Sequence, residues 1–339
     1  FTFRPLIKDM SSASVATSIL LVSKYLAIYG YSLIAIVGCI GNAWNILIFT
    51  SSKSIRHNQC GFYLITTSIS DCCLLLVVLP FRISELAFET DVTRLSEFWC
   101  KFRPMLTYTL ALISLSSVCF AAIDQYLSTN HHVWIRQIST LKLAHRLVYG
   151  ALIIWTIYDS IFLIFFRLHP TLGCIIENVA FSQYYSFFHF IILNSVMPIA
   201  ISSLFSLLAY MNVRRIVQLR VQPIRRQRDK QLTAMVLAKV ALLVVTVLPS
   251  VIIRIYILNS KIDENDYIRA TVDQFISSVG YALFYTNSAL TFYLFLIVSS
   301  RFRRRLIYMY AVMKQFGKRC YKSHQDNQVA PEPIESQEM

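Results

Sequence analysis

The sequence predicts an all-α fold: a seven-transmembrane helix bundle followed by a short amphipathic eighth helix. Three observations carry the prediction. The 339 residues are 56% hydrophobic with a mean hydropathy of +0.54. Charged residues make up only 15%, against about 25% in a soluble domain. The apolar residues fall into seven separate runs, each long enough to cross a bilayer. A net charge of +14 is divided among short connections between those runs, which argues against a nucleic-acid surface.

The runs are 25–51, 61–88, 97–129, 144–166, 184–213, 230–258 and 268–298. Most contain Pro, Ser, Asn or Asp, so they read as helices packed against one another rather than as lipid-only anchors. The third is the centre of the reading. Cys100 stands at its start and Asp124-Gln125-Tyr126 at its end. At ~1.5 Å per residue they lie about 36 Å apart as a helix, near opposite faces of a hydrocarbon core of roughly 30 Å. Thr107, Ser114, Ser116 and Ser117 between them suit close packing and cross-helix hydrogen bonds.

Lys and Arg set the orientation. They concentrate after the first, third, fifth and seventh runs, with Arg214, Arg215, Arg220, Arg225, Arg226, Arg228 and Lys230 in one connection. This places the N-terminus outside and the C-terminus inside. Residues 1–24 then form an extracellular segment and 25–316 the membrane domain with its eighth helix. Residues 317–339, polar and rich in Pro, Glu and Gln toward the end, read as a disordered cytoplasmic tail. After the seventh run, Phe302, Leu306, Met309, Tyr310 and Met313 recur at helical spacing beside Arg301, Arg303, Arg304 and Arg305. That is a basic amphipathic helix lying on anionic lipid. Cys320 just beyond it is either palmitoylated or a free thiol.

Intramembrane charge marks function by default. Asp71 and Asp159 both fall inside apolar runs. For Asp71 the alternatives are an ion ligand or a hydrogen-bonded core carboxyl. Asp159 matches no motif used here. No metal-ligand, P-loop or nucleophile motif points to an enzyme.

Short motifs recur along the chain in one order. They are Gly41-Asn42, Asp71 with Pro80, Trp99-Cys100, Asp124-Gln125-Tyr126, Trp155, Pro198, Pro249, Asn287-Ser288-Ala289-Leu290 and Phe302-Arg303. This series resembles the rhodopsin-like (class A) G-protein-coupled receptors over nearly the whole chain, and is closest in feel to invertebrate neuropeptide receptors. Gln125 replaces the family's arginine, Val247 its tryptophan before Pro249, and Ser206 a tyrosine. Thr291-Phe292-Tyr293-Leu294-Phe295 replaces Asn-Pro-x-x-Tyr.

The resemblance implies a plasma-membrane receptor that binds an extracellular ligand, signals to a heterotrimeric G protein and engages arrestin. It implies a disulfide between Cys100 and Cys174. It implies a sodium ion held by Asp71, Ser114, Asn287 and Ser288. It implies a switch built from Asp124, Gln125, Tyr126, Pro249, Thr291 and Phe295, and a G-protein contact at Arg214, Arg215, Arg225, Arg226, Arg228 and Lys230. No lysine stands in the seventh run from Thr271 to Arg301, so no retinal Schiff base is expected. Thr107 stands where amine receptors carry an aspartate. What remains at the ligand positions is Arg82, Arg103, Thr107, Tyr108, His189, Arg254, Tyr281 and Tyr285, with Glu85 and Tyr256 beside them. Arginine pairs with carboxylates and tyrosine gives large contact area, so a short peptide is the expected ligand. The departures at Gln125 and Thr291–Phe295 raise one alternative, a decoy receptor that binds without activating a G protein. A transporter or channel is a second. It calls for matched inverted halves with broken midplane helices, and none are seen.

Overall fold

The computed structural model describes residues 3–51, 58–88, 96–169, 173–218, 223–259 and 267–328. Six described helices are long and apolar enough to cross a membrane: Thr17–Ser51, Gln59–Ser84, Glu97–Thr129, Leu141–Phe165, Val179–Arg215 and Lys230–Asn259. A bent pair, Ile268–Ala289 and Thr291–Val298, makes the seventh. The protein is a multi-pass membrane protein, and these are spans one to seven below. Span one continues a helix that starts at Phe3, inside the stretch expected as a separate N-terminal segment. The terminal helix runs Ser300–Gln328, past the expected boundary at 316. Residues 329–339 lie outside the described residues.

Between helices in lipid there is little hydrophobic driving force, so close packing and buried hydrogen bonds hold the bundle. Large apolar side chains accordingly face outward, among them Ile36, Ile154, Ile157 and Val245. The interior is threaded with polar groups. Asn42 on span one donates to the Ser288 carbonyl of span seven at 3.0 Å. Tyr31 donates to the Ser278 carbonyl at 2.9 Å, and Tyr293 to the Val37 carbonyl at 3.1 Å. Trp155 on span four donates to the Ser116 hydroxyl of span three at 2.8 Å. The close approach of spans one and seven needs Gly38 and Gly41. A Cβ on Gly38 would stand 2.8 Å from the Ala289 Cβ, and one on Gly41 3.0 Å from the Phe292 Cβ.

Proline explains the irregular turns. Spans two and five each contain a π-helical stretch, Leu74–Val78 and Tyr185–Val196, just before Pro80 and Pro198. Proline lacks an N–H and crowds the carbonyl four residues earlier. Around the second stretch, side chains serve the five-residue pattern. Asn194 donates to the His189 carbonyl at 2.9 Å and Ser195 to the Phe190 carbonyl at 3.1 Å.

Strand β1 (Phe166–His169) pairs antiparallel with β2 (Gly173–Ile176), Leu168 opposite Cys174. A Cys100–Cys174 disulfide, with Cα atoms 5.5 Å apart, ties this hairpin to the start of span three. At the opposite end Phe295 packs edge-on against both Phe49 and Phe302, which tilt against each other, joining spans one and seven to the terminal helix.

Candidate functional site

Three sites lie along the bundle axis, and span three runs past all of them.

At the disulfide end, Arg82, Arg103, Pro104, Thr107, Tyr108, Phe166, Tyr185, Tyr281 and Tyr285 line a cavity of about 150 Å³. Arg103 and Thr107 are one helical turn apart, and the Thr107 hydroxyl is satisfied by the Arg103 carbonyl at 2.7 Å. The Arg82 guanidinium lies 5.4 Å from the centre of the Tyr281 ring. The hydroxyls of Tyr108 and Tyr185 hydrogen-bond to each other at the cavity floor. Arg254 lines a narrow recess of about 20 Å³ that shares Tyr281 with the main cavity. It also donates to the Ser186 hydroxyl at 3.4 Å. The main cavity therefore combines cationic and aromatic groups, suited to a carboxylate and to flat apolar surface.

His189 is not on this wall. It is fully buried and packed among Tyr108, Tyr158, Phe162 and Tyr185. Its Nδ1 lies 3.9 Å from Asp159 Oδ1, and the Thr109 hydroxyl donates to Asp159 Oδ2 at 2.9 Å. Asp159 thus joins spans three, four and five behind the cavity. The resemblance places His189 among the ligand residues because it matches a pocket-facing position; here an aromatic shell packs around it. The Glu85 side chain lies outside the described residues, and Tyr256 is half exposed.

The middle site contains Asp71, Ser114, Asn287 and Ser288, all buried. The Ser114 hydroxyl donates to Asp71 Oδ1 at 2.7 Å. Facing this group is Lys239 of span six, 1% exposed, its Nζ 3.7 Å from Asp71 Oδ2. Lys239 Nζ also donates to the Asn287 carbonyl at 3.0 Å and to the Thr291 hydroxyl at 2.8 Å. Sequence reasoning missed this residue. The signal was available: one lysine stands amid the apolar run Val236–Val247, and an intramembrane charge is a functional hypothesis with a partner to be found. Here span seven bends by 51° although Leu290-Thr291-Phe292 contains no proline. The Asn287 carbonyl accepts from both Lys239 Nζ and Thr291 Oγ1. A side chain inserted into the helix ladder is a recognised cause of a sharp kink.

At the far end Asp124 and Gln125 are buried. Asp124 Oδ1 accepts from the Ser139 hydroxyl at 2.5 Å. Gln125 Oε1 accepts from the Thr233 hydroxyl of span six at 3.0 Å. Tyr126 packs on Phe205 of span five at 5.6 Å between ring centres. Phe295 is fully buried between Phe49 and Phe302, Thr291 belongs to the Lys239 group above, and Pro249 lies within span six. Arg214 and Lys230 line a recess of about 440 Å³ between spans five and six with Tyr210, Val213 and Thr233. Arg215 is exposed nearby. The side chains of Arg225, Arg226, Arg228 and Cys320 lie outside the described residues.

The comparisons agree with this architecture. Residues 41–291 match the model of the 7 transmembrane receptor (rhodopsin family). Neuromedin-U receptor 2 of Mus musculus is 25% identical over 289 residues, covering 80% of this chain and 72% of the relative. Neuromedin-U receptor 1 of Rattus norvegicus is 28% identical over 131 residues, 39% of this chain and 30% of the relative. The neuromedin U receptor homolog nmur-2 of Caenorhabditis elegans is 28% identical over 127 residues, 38% of this chain and 30% of the relative. The match thus spans less than a third of the length of the last two. The family match covers well over half of the chain, and this protein belongs to the rhodopsin family of seven-transmembrane receptors.

Proposed function

We propose that the chain is a plasma-membrane receptor for an extracellular peptide and that it signals to a heterotrimeric G protein. The disulfide end faces outward and the Gln125 end faces the cytoplasm. The observation that carries the peptide reading is the cavity bounded by Arg82, Arg103, Tyr281 and Tyr285. Its volume of about 150 Å³ equals a cavity that holds one benzene. A peptide that seats one side chain or its terminus there, with the rest across the hairpin, fits that size. An acidic group on the peptide meets the two arginines. The relatives named as neuromedin-U receptors support a peptide ligand as such.

On the cytoplasmic side, the recess lined by Arg214 and Lys230 is the G-protein contact. Arrestin competes for the same end, and the basic face of Ser300–Gln328 rests on anionic lipid. Binding at the cavity favours the arrangement with spans five and six parted, to the extent that the peptide prefers it.

The test is a peptide screen, neuromedin-U peptides included, on cells with matched surface expression, read by G-protein dissociation. A peptide response that weakens at least tenfold in both Arg82→Ala and Arg103→Ala supports the reading. Responses confined to small amines would sink the peptide part. Saturable peptide binding with no G-protein response in any subtype would instead establish the decoy reading.

A further inference from the structure

The polar centre of the bundle holds a positive charge that belongs to the chain itself. Lys239 lies on span six between buried apolar neighbours, Val236, Val240 and Leu243. Its stem crosses to span seven and its ammonium reaches span two. An ammonium has three donor positions. Here two are taken by the Asn287 carbonyl at 3.0 Å and the Thr291 hydroxyl at 2.8 Å. The third side of the group faces Asp71 Oδ2 at 3.7 Å. Asp71 Oδ1 is taken by Ser114 at 2.7 Å.

A sodium ion among Asp71, Ser114, Asn287 and Ser288 does not fit this arrangement. Among the described residues Asp71 is the one carboxylate paired with Lys239, so its charge is already balanced. A free cation at the same carboxylate would set two positive charges against one negative among buried residues. Little screening is available there. The ammonium and the ion would also compete for the same face of Asp71.

We infer that Lys239 is the resident cation of the Asp71 site, and that this receptor takes no sodium there. The substitution changes how the site behaves. A bound ion exchanges with the medium, so its occupancy follows sodium concentration. A cation tethered to span six does not exchange. It joins spans two, six and seven at every salt concentration, and its stem keeps it within reach of span six. The same ammonium holds the Asn287 carbonyl at the bend of span seven, which ties the charge to a bend made without proline.

The experiment uses the purified full-length receptor in lipid nanodiscs. Thermal unfolding is followed in sodium chloride and in choline chloride at equal concentration. Wild type is expected to give the same midpoint in both. Lys239→Ala removes the ammonium and leaves the oxygens, and is expected to gain a rise in midpoint specific to sodium. Asp71→Asn placed in that background is expected to abolish the rise. Should Lys239→Ala not survive purification, Lys239→Gln keeps the length and a donor without the charge, and is read in the same way. A sodium-specific rise in wild type that Asp71→Asn removes would overturn the inference. So would indifference to sodium in both neutral Lys239 variants, because the pocket would then be no cation site at all.

Discussion

The Gln125 side-chain carbonyl, buried at the end of span three, accepts a hydrogen bond from the Thr233 hydroxyl of span six at 3.0 Å. A neutral amide thus joins these two spans at a position where the wider family carries an arginine. Glutamine cannot pair with a carboxylate as arginine does, but its carbonyl is a full acceptor. The companion Asp124 is satisfied by Ser139 instead, at 2.5 Å. The two neighbouring residues therefore have separate partners, one holding span six and one holding the connection to span four.

Thr233→Val tests that bridge. It removes the donor and leaves Gln125 Oε1 buried and unpaired, which costs the closed arrangement about 1–3 kcal/mol. If parting of spans five and six admits the G protein, ligand-free activation rises, by roughly fivefold or more for 1 kcal/mol. The readout is basal nucleotide exchange at matched surface expression. Unchanged basal exchange in Thr233→Val, with the receptor folded and ligand-responsive, would show that the bridge does not restrain span six.

The disulfide makes a second prediction. Cys100 and Cys174 are 74 residues apart in sequence, and the bond fixes the β1–β2 hairpin beside the cavity wall formed by Phe166. Cys174→Ser frees that hairpin. The expected result is peptide affinity reduced at least tenfold, with the far end of the bundle intact. Radioligand binding beside constitutive activity separates the two. Equal loss of both would mean that the bond serves folding as a whole.

What the sequence could and could not disclose follows from what periodicity measures. The seven spans were legible because apolar length is a local property. The extension of the first and terminal helices beyond 25 and 316 was not, since polar residues continue a helix as readily as they end one. Asp71 was legible as a costly intramembrane charge, yet its partner Lys239 lies 168 positions away on a span that reads as an apolar run. Pairing across such a distance is fixed by helix rotation and bend, which composition does not encode. His189 was named because it matches a pocket-facing position of the family; its packing against the rings of Tyr108 and Tyr185 is a tertiary fact that no motif carries. The proline of the family's Asn-Pro-x-x-Tyr motif is absent from span seven, yet the span bends by 51° where a side chain from another span meets the Asn287 carbonyl.

Asp159 gives a third prediction. It accepts from Thr109 at 2.9 Å and stands 3.9 Å from the His189 ring. Asp159→Asn keeps an acceptor for Thr109 and the same size. Asp159→Leu leaves the Thr109 hydroxyl without it, while the His189 nitrogens, which make no hydrogen bond to the carboxylate 3.9 Å away, lose none. Each unsatisfied buried group costs about 1–3 kcal/mol. The leucine variant is therefore expected to unfold at a lower temperature than the asparagine variant, measured on purified receptor. Equal midpoints would mean that the cluster is held by its aromatic packing alone.

The contact between spans one and seven supplies the last. A Cβ on Gly38 would stand 2.4 Å from Leu75 Cδ1, 2.8 Å from the Ala289 Cβ and 3.0 Å from the Ala289 Cα. The leucine tip can turn aside, but the Ala289 backbone cannot without moving the segment that carries Asn287 and Ser288. Gly38→Ala must therefore push span one outward and stretch the Asn42 bond to the Ser288 carbonyl, now 3.0 Å. Overpacking of this kind costs typically ~1–3 kcal/mol. Gly150 on span four offers the control, because among the described residues nothing lies within 4 Å of a Cβ placed there. Gly150→Ala is expected to be neutral or slightly stabilising, since alanine is the better helix former. The thermal midpoint of Gly38→Ala should thus fall while that of Gly150→Ala holds or rises. A shared, small effect would mean that span one shifts freely against span seven, and that Asn42 does not fix their separation.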